Sequence, residues 1–353
     1  MADQPKQTWP ALFGRLIAGQ DLGEDDTAWA MDQVMSGAAT SVQIAGLAVA
    51  LRAKGETPAE INGMATMMLA HARQRVTLTG RAVDVVGTGG DQAHTVNIST
   101  MAAIVTAAAG VPVAKHGARA ASSKAGAADV LEALGVVVDL PADAVLRCVH
   151  EVGIGFCFAP LYHPALRNAS DARRELGIPT PFNFLGPLTN PAQPDAGLVG
   201  CANPVMAPVL AEVFAQRGKT ALVVRGDDGL DELTTTTTTT VWLAHGGTVR
   251  IEQVDPSDLG IRPASASDLR GGDAEENAQV ARDLVGGKPG PVRDAVLLNA
   301  AGAVVAFREP SDQGLTADLR GALETVAQAV DSGAAASVLE RWRTLTVALK
   351  AGS

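Results

Sequence analysis

Between Asp84 and Ser123 the chain gathers residue types suited to holding an anion. Gly87-Thr-Gly-Gly90, followed by Asp91, closes a short, mostly β-branched run, Val83–Val86, that reads as a buried strand. Glycines at such a place let the backbone turn sharply and approach a ligand closely. Past Thr95, the side-chain oxygens of Asn97, Ser99 and Thr100 stand at the head of Met101–Ala109, whose small residues predict a helix. Free helix amides beside a glycine loop make an anion site. A second apolar run, Val111–Ala114, leads into Lys115, His116, Arg119 and Lys124, with no acid before Asp129. Alone, the glycine run reads as a tight turn, and Lys-His-Gly carries less still. Their succession at consecutive strand–helix junctions is the signal, because open α/β sheets bind ligands beyond the carboxyl ends of their strands.

Composition narrows the classes. A chain of 353 residues can bury a large core in two subdomains. A hydrophobic content of 47%, 37 glycines and only 3% aromatics suggest helices packed tightly on a sheet. The net charge of −10 argues against affinity for nucleic acid or anionic lipid, so any polyanionic substrate needs cations concentrated locally, as Lys115–Lys124 provides. One Tyr and seven Phe leave little surface for stacking bases. No apolar run is long enough to span a membrane, and the first residues lack a signal pattern. Cys148, Cys157 and Cys201 lie in apolar surroundings without CxxC spacing and read as buried free thiols in a reducing cytosol.

The elements that must position these residues fall into two parts. Residues 1–80 follow helical periodicity: Trp9, Leu12, Phe13, Leu16 and Ile17, then Ala28 to Met35, then a nearly all-round apolar stretch from Val42 to Ala48. Thr57-Pro-Ala-Glu60 is a capping box that opens a fourth helix through Met64, Met67, Met68 and His71. This is more apolar surface than a small bundle needs, which suggests a subunit interface. Residues 81–353 alternate short apolar strands with helices. The expected strands are Val83–Val86, Val111–Ala114, Val136–Asp139, Ile154–Phe158, Leu198–Ala202, Thr220–Val224, Val241–Leu243 and Val296–Asn299. The fold class is therefore α/β: a small N-terminal helical domain, joined by part of 165–190, and a large domain with a largely parallel central sheet flanked by helices. The threonines at 234–240 read as a strand-rich, hydroxyl-lined segment.

Gly87-Thr-Gly-Gly-Asp91, Asn97-Ile-Ser-Thr100 and Lys115-His-Gly-Ala-Arg-Ala-Ala-Ser-Ser123 resemble the motifs of the anthranilate phosphoribosyltransferases, enzymes of tryptophan biosynthesis. His163-Pro-Ala, Arg173-Arg-Glu-Leu-Gly, Phe182–Pro191 and Gly226-Asp-Asp-Gly-Leu-Asp-Glu232 fit the same family in order. The resemblance implies transfer of the phosphoribosyl group of 5-phosphoribosyl 1-pyrophosphate (PRPP) to the amine of anthranilate, releasing pyrophosphate. It implies donor contacts at Gly87, Gly90, Asp91, Thr95, Asn97, Ile98, Ser99, Thr100, Lys115, His116, Gly117, Arg119, Ala120, Ala121, Ser122, Ser123 and Ala127. For the acceptor it implies Gly87, Ala118 and Arg173, and for two Mg²⁺ ions per subunit Ser99, Asp231 and Glu232. A cytoplasmic homodimer formed through the helical domain is also implied.

The chemistry constrains these roles. Displacement at the anomeric carbon has an oxocarbenium-like transition state with charge growing on the leaving pyrophosphate, so positioning and electrostatics dominate. An aromatic amine needs no strong base, and no residue stands out as catalytic beyond the electrostatic contribution of Lys115 and Mg²⁺. His116 is either a proton relay or structural, and His163 reads as a loop anchor. Apart from a metal role, Asp227-Asp-Gly-Leu-Asp-Glu232 reads as a solvated acidic turn. Arg167, Arg173 and Arg174 could each fork a carboxylate, with Arg174 better suited to pairing with Glu175. One position departs from the family, whose motif has Asn where this chain has Ala118. That leaves open a paralogue or engineered variant with a shifted aromatic-acid acceptor. A pyrimidine nucleoside phosphorylase, similar in fold and in its Lys-His-Gly-x-Arg segment, is the remaining rival.

Overall fold

The computed structural model describes residues 7–120 and 124–352. Helices α1 (Trp9–Ile17), α2 (Glu24–Met35), α3 (Ser41–Lys54) and α4 (Pro58–Ala70) form the first layer. The capping box expected at α4 is present: Thr57 Oγ1 accepts from Glu60 N at 3.3 Å, and Glu60 Oε2 accepts from Thr57 N at 2.8 Å. The remaining chain runs β1 (Val83–Gly87), α5 (Ile98–Ala108), β2 (Val113–Gly117), α6 (Ala127–Ala133), α7 (Ala142–Val152), β3 (Ile154–Phe158), α8 (Ala159–Tyr162) and α9 (Ser170–Leu176). It continues through β4 (Ala196–Gly200), α10 (Met206–Gln216), β5 (Thr220–Gly226), β6 (Thr239–His245), β7 (Thr248–Val254), α11 (Ala274–Val285), α12 (Pro291–Arg308), α13 (Leu315–Asp331) and α14 (Ala334–Ala351).

The strands make one seven-stranded sheet in the order β3-β2-β1-β4-β5-β6-β7. β1 to β5 are parallel, and β6 and β7 are added antiparallel. The central strands are buried on both faces, which is why they read as continuous apolar runs. Val85, Leu198, Leu222 and Val224 pack into the core made with α5, α12, α13 and α14, while Val86, Val199 and Val223 share a second core with α10 and the N-terminal helices. Ala169, Ala172, Phe182 and Leu188 join that second core, and Asn168 donates to Val34 O at 3.1 Å.

Three strand expectations are corrected. Val296–Asn299 lies inside α12, whose burial from Ala295 to Ala306 removes the polar face that marks a helix. Val136–Asp139 has no strand partner: Val137 N donates instead to Thr346 Oγ1 of α14, 3.1 Å away. Of the threonine run only Thr239 and Thr240 lie in a strand; before them Thr234 and Thr236 bond Asp228 and Thr238 bonds Asp227. β7 was missed, although Gly246 and Gly247, at φ +59° and +78°, supply the hairpin turn before it. All three cysteines are buried free thiols. Among the described residues, no helix is long and apolar enough to cross a membrane.

Candidate functional site

Packing at the carboxyl ends of β1 and β4 creates the site. Gly87 and Gly200 are register partners on these strands. A Cβ on Gly87 would lie 2.2 Å from Asp231 Oδ2, and one on Gly200 would lie 1.6 Å from Asp231 O. The glycines therefore admit the acidic segment onto the strand ends, where Gly89 N donates to Asp231 Oδ2 at 2.7 Å. Gly89 and Gly90 have φ of +68° and +88°, a backbone that favours glycine. The loop thus receives a carboxylate of the chain itself as well as presenting amides.

These carboxylates are under electrostatic load. Burial, followed by the charge of Asp91, raises Asp231 to about 7. Glu232 is raised well above its ordinary value by burial and by Asp231, against the opposing pull of Lys115 and the Ser99 amide at the head of α5. The Lys115 ammonium, only 2% exposed, donates to Val85 O and, at 3.4 Å, to Ser99 Oγ. Burial lowers its pKa while Asp84, Glu232 and Asp231 oppose the shift. Two buried acids repelling each other beside Ser99 form a donor set that a divalent cation would relieve, and Mg²⁺ needs few protein oxygens when phosphate and water complete its shell. Among the described residues no three or more His, Cys, Asp or Glu stand together as a complete protein cage.

The upstream acids have different partners. Asp228 Oδ2 accepts from Thr234 Oγ1 at 2.7 Å and from Thr236, while Asp227 accepts from Thr238, Thr240 and Gln253. The threonine run is the hydroxyl lining of this loop, which leaves Asp231 and Glu232 without such partners. On the far side, fully buried Asn299 clamps the next residue: it accepts from Leu233 N at 3.0 Å and donates to Leu233 O at 2.8 Å. Sequence reasoning missed Asn299 because it placed that residue in a strand.

Donor-side residues divide by burial. Asn97, caught between Ala125 O at 3.1 Å and Asn277 Nδ2 at 2.8 Å, ties the head of α5 to α11. Thr95 bridges to Arg270. Neither Asn277 nor Arg270 was foreseen; the visible signal was Gly271-Gly272 before the capping box at Asp273. Ile98 is buried, and the Thr100 hydroxyl is enclosed without a partner among the described residues. A Cβ on Gly117 would meet Phe156 at 2.9 Å and Ala127 Cβ at 3.3 Å, so Gly117 and Ala127 pack against each other. Ala120 N donates to Asp129 Oδ2 at 3.0 Å, as Gly126 N does at 2.8 Å. Ala121, Ser122 and Ser123 lie outside the described residues.

Arg119 corrects the expectation of an uncompensated cation. Its guanidinium pairs with Glu132 at 2.5 Å and Asp129 at 3.0 Å and lies over the Phe158 ring, 5.6 Å from its centroid. Those two acids also raise its pKa.

Two buried histidines brace the return segment: His116 Nδ1 pairs with Gly186 O at 2.9 Å and His163 Nε2 with Thr189 O at 2.7 Å. Burial first, then His163, pushes His116 down to about 3, so the ring is neutral and Nδ1 donates to the carbonyl. His116 Nδ1 is thereby committed to a structural bond. Asp84 accepts from His116 N at 3.0 Å and Asn190 Nδ2 at 2.8 Å, and its burial raises it to about 6.

On the acceptor side, Ala118 is exposed at the β2 end. Arg173 has no ion pair among the described residues and lies over Phe182 at 5.8 Å, with burial lowering its pKa. Arg174 pairs with Asp171, not with Glu175 as expected. The neighbouring arginines are thus distinguished, one held by an acid and one without an ion pair among the described residues.

The chain matches two family models, "Glycosyl transferase family, a/b domain" over residues 79–336 and "Glycosyl transferase family, helical bundle domain" over residues 10–72. It is 63% identical over 339 residues to an anthranilate phosphoribosyltransferase of Saccharopolyspora erythraea, with 95% of each chain covered. It is 60% identical to that of Rhodococcus jostii, covering 98% of this chain and 95% of the relative. The crystal structure of anthranilate phosphoribosyltransferase from Thermus thermophilus superposes with a TM-score of 0.87 at 40% identity, covering 95% of this chain and 98% of that one. The Saccharomyces cerevisiae enzyme in complex with PRPP and Mg does so with a TM-score of 0.86 at 26% identity, covering 96% and 98%.

Proposed function

The chain belongs to the anthranilate phosphoribosyltransferase family, and from that premise we propose how its own residues carry out the family's reaction: phosphoribosyl transfer from PRPP to the amine of anthranilate, with release of pyrophosphate, in tryptophan biosynthesis. The observation that carries this reading is the placement of Asp231 and Glu232 on the 87–90 glycine loop, beside Ser99 and Lys115. Mg²⁺ held by Asp231, Glu232 and Ser99 would neutralise charge on the pyrophosphate, and the reading carries two ions per subunit.

The amides of Gly90 and Asp91 and the head of α5, from Asn97 to Thr100, cradle the leaving group. Lys115 supplies a fixed positive charge behind Ser99 that needs no reorganisation as the bond to the anomeric carbon breaks. Arg119, Ala120 and Ala127 bound the donor, with the Ala120 and Gly126 amides held by Asp129. The Arg119 charge is already spent on Glu132, so its contribution is to shape the loop. Arg173 forks the anthranilate carboxylate with Phe182 beneath it, and Gly87 and Ala118 line the acceptor space. The amine attacks with its own lone pair and loses its proton to water: His116 keeps an unpartnered Nε2, but burial pushes that ring down to about 3, so it takes up no proton near neutral pH. The subunit works in a cytoplasmic homodimer formed through the N-terminal helices, where Ile17 and Val42 are more than 80% exposed.

A pyrophosphate-release assay with PRPP, Mg²⁺ and a panel of aromatic acids tests the reading. The expected result is release that depends on anthranilate and stops with EDTA. Release with a different aromatic acid, and none with anthranilate, would assign Ala118 to a changed acceptor. Metal-independent phosphorolysis of thymidine would place the chain with the nucleoside phosphorylases.

A further inference from the structure

A cavity of about 390 Å³ opens at the other end of the sheet from the glycine loop. It lies where β4 begins at Ala196 and Gly197, between α4 and α10, and the linkers at Arg75 and at residues 187–194 close it. We propose that this cavity is a second, non-catalytic binding site for a small carboxylate with an apolar body of one or two rings.

Three basic side chains line it, Arg75, Arg217 and Lys219, against one acid, Asp84, whose carboxylate is held by Asn190 and the His116 amide, in a chain of net charge −10. Arg217 donates to Asn62 Oδ1 at 2.7 Å, Leu188 O at 2.8 Å and Thr66 Oγ1 at 3.5 Å, all neutral acceptors. It has no ion pair among the described residues, and burial lowers its pKa. Removing a guanidinium from water with no acid in direct contact is costly; the more distant charge of Glu24 offsets only part of it, and a bound carboxylate would offset more. Arg75 is exposed and has no ion pair among the described residues, and Lys219 meets its nearest acid, Asp195, only at 3.4 Å. Leu69, Leu188 and Phe214 add apolar lining. The volume is at the lower end of the range for small-molecule sites, about 300–1,000 Å³, which fits a body of one or two rings.

This site is distinct from the catalytic one. The cavity lies on the α4 and α10 side of β4 and reaches Val199, but none of Gly87–Asp91, Ser99, Lys115, Asp231 or Glu232 lines it. The two places are nevertheless mechanically joined. Asn190 lines the cavity and donates to Asp84 and, at 2.7 Å, to Ala114 O, while Asp84 accepts from the amide of His116, next to Lys115. A ligand that shifts residues 187–194 therefore acts on the strand that carries Lys115.

Calorimetry on the full chain tests the site with indole-3-acetate as the probe and the uncharged indole-3-acetamide as its control. Because an aromatic acid could also enter the acceptor side, the titration is repeated on Arg173→Ala, on the double variant Arg75→Gln/Lys219→Gln, and on Thr66→Phe, which fills the cavity from α4. Binding should persist in Arg173→Ala and weaken at least about tenfold in the other two variants and for the amide, the loss expected for a charged hydrogen bond. Absence of binding at millimolar probe would overturn the proposal. So would loss in Arg173→Ala with retention in both cavity variants. Neither outcome bears on the proposed reaction, which pyrophosphate release reads separately.

Discussion

The two sides of the candidate site are built in opposite ways. On the donor side Asp231, Glu232, Lys115 and Asp84 are enclosed, share hydrogen bonds with strand ends and with α5, and have pKa values displaced by burial and by one another. On the acceptor side a lone guanidinium lies over a ring, on a seven-residue helix in the segment that returns to the N-terminal layer, with exposed Ala118 at the β2 end. Charge developing on pyrophosphate calls for preorganised groups, whereas a carboxylate that is only held in place calls for a fork and a surface. Damage to the first side should therefore appear in turnover, and damage to the second in acceptor affinity.

The largest effect should come from Asp231→Asn or Glu232→Gln, which leaves the shape but removes the charge. Turnover should fall by about 10²- to 10³-fold, the cost of losing one preorganised electrostatic contact. Melting temperature should hold or rise, since the buried repulsion is gone. A collapsed melting temperature with unchanged turnover per folded molecule would leave these acids as a structural turn.

Asp84→Asn tests whether the donor side stores electrostatic strain in the absence of ligand. In the folded chain Asp84 titrates near pH 6, above its ordinary 3.8. The folded state thus keeps a proton that the unfolded state has already lost, and this group's contribution to stability declines as pH rises from about 4 to about 6, then levels off. The full decline is on the order of 3 kcal/mol. Chemical denaturation across that window should show a steeper decline in the parent than in the variant, where the raised Asp231 and Glu232 still contribute. Equal slopes would mean that Asp84 is not its source.

Next in size is Arg173→Ala, which should raise the anthranilate KM by about 10- to 150-fold, the span of one charged hydrogen bond, while sparing the PRPP KM. Arg174→Ala, which breaks only its exposed pair with Asp171, should shift neither by more than about twofold. The reverse pattern would move the acceptor site to the other arginine. A gain of function is expected from Ala118→Asn. A restored amide should lower the anthranilate KM by about tenfold with the PRPP KM unchanged. Flat anthranilate kinetics with lost activity on a bulkier aromatic acid would make the alanine an adaptation.

What the sequence determined by itself is the local chemistry. The glycines after Val86, the capping box at Thr57 and the apolar strand runs each follow from backbone freedom, orphan amides or two-sided burial, all of which act over a few neighbouring residues. The family motifs were legible for the same reason, being contiguous. Only the tertiary structure decided which of these residues remain available. Asp227 and Asp228 go to threonines and Arg119 to Glu132, while Asn299, 66 positions after Leu233, clamps the segment that carries the two acids. A hydrogen-bond partner so far away in the chain leaves no periodicity or spacing to read. Whether a carboxylate is satisfied or strained depends on that partner and on burial, and both exist only once the sheet, α12 and the glycine loop have come together.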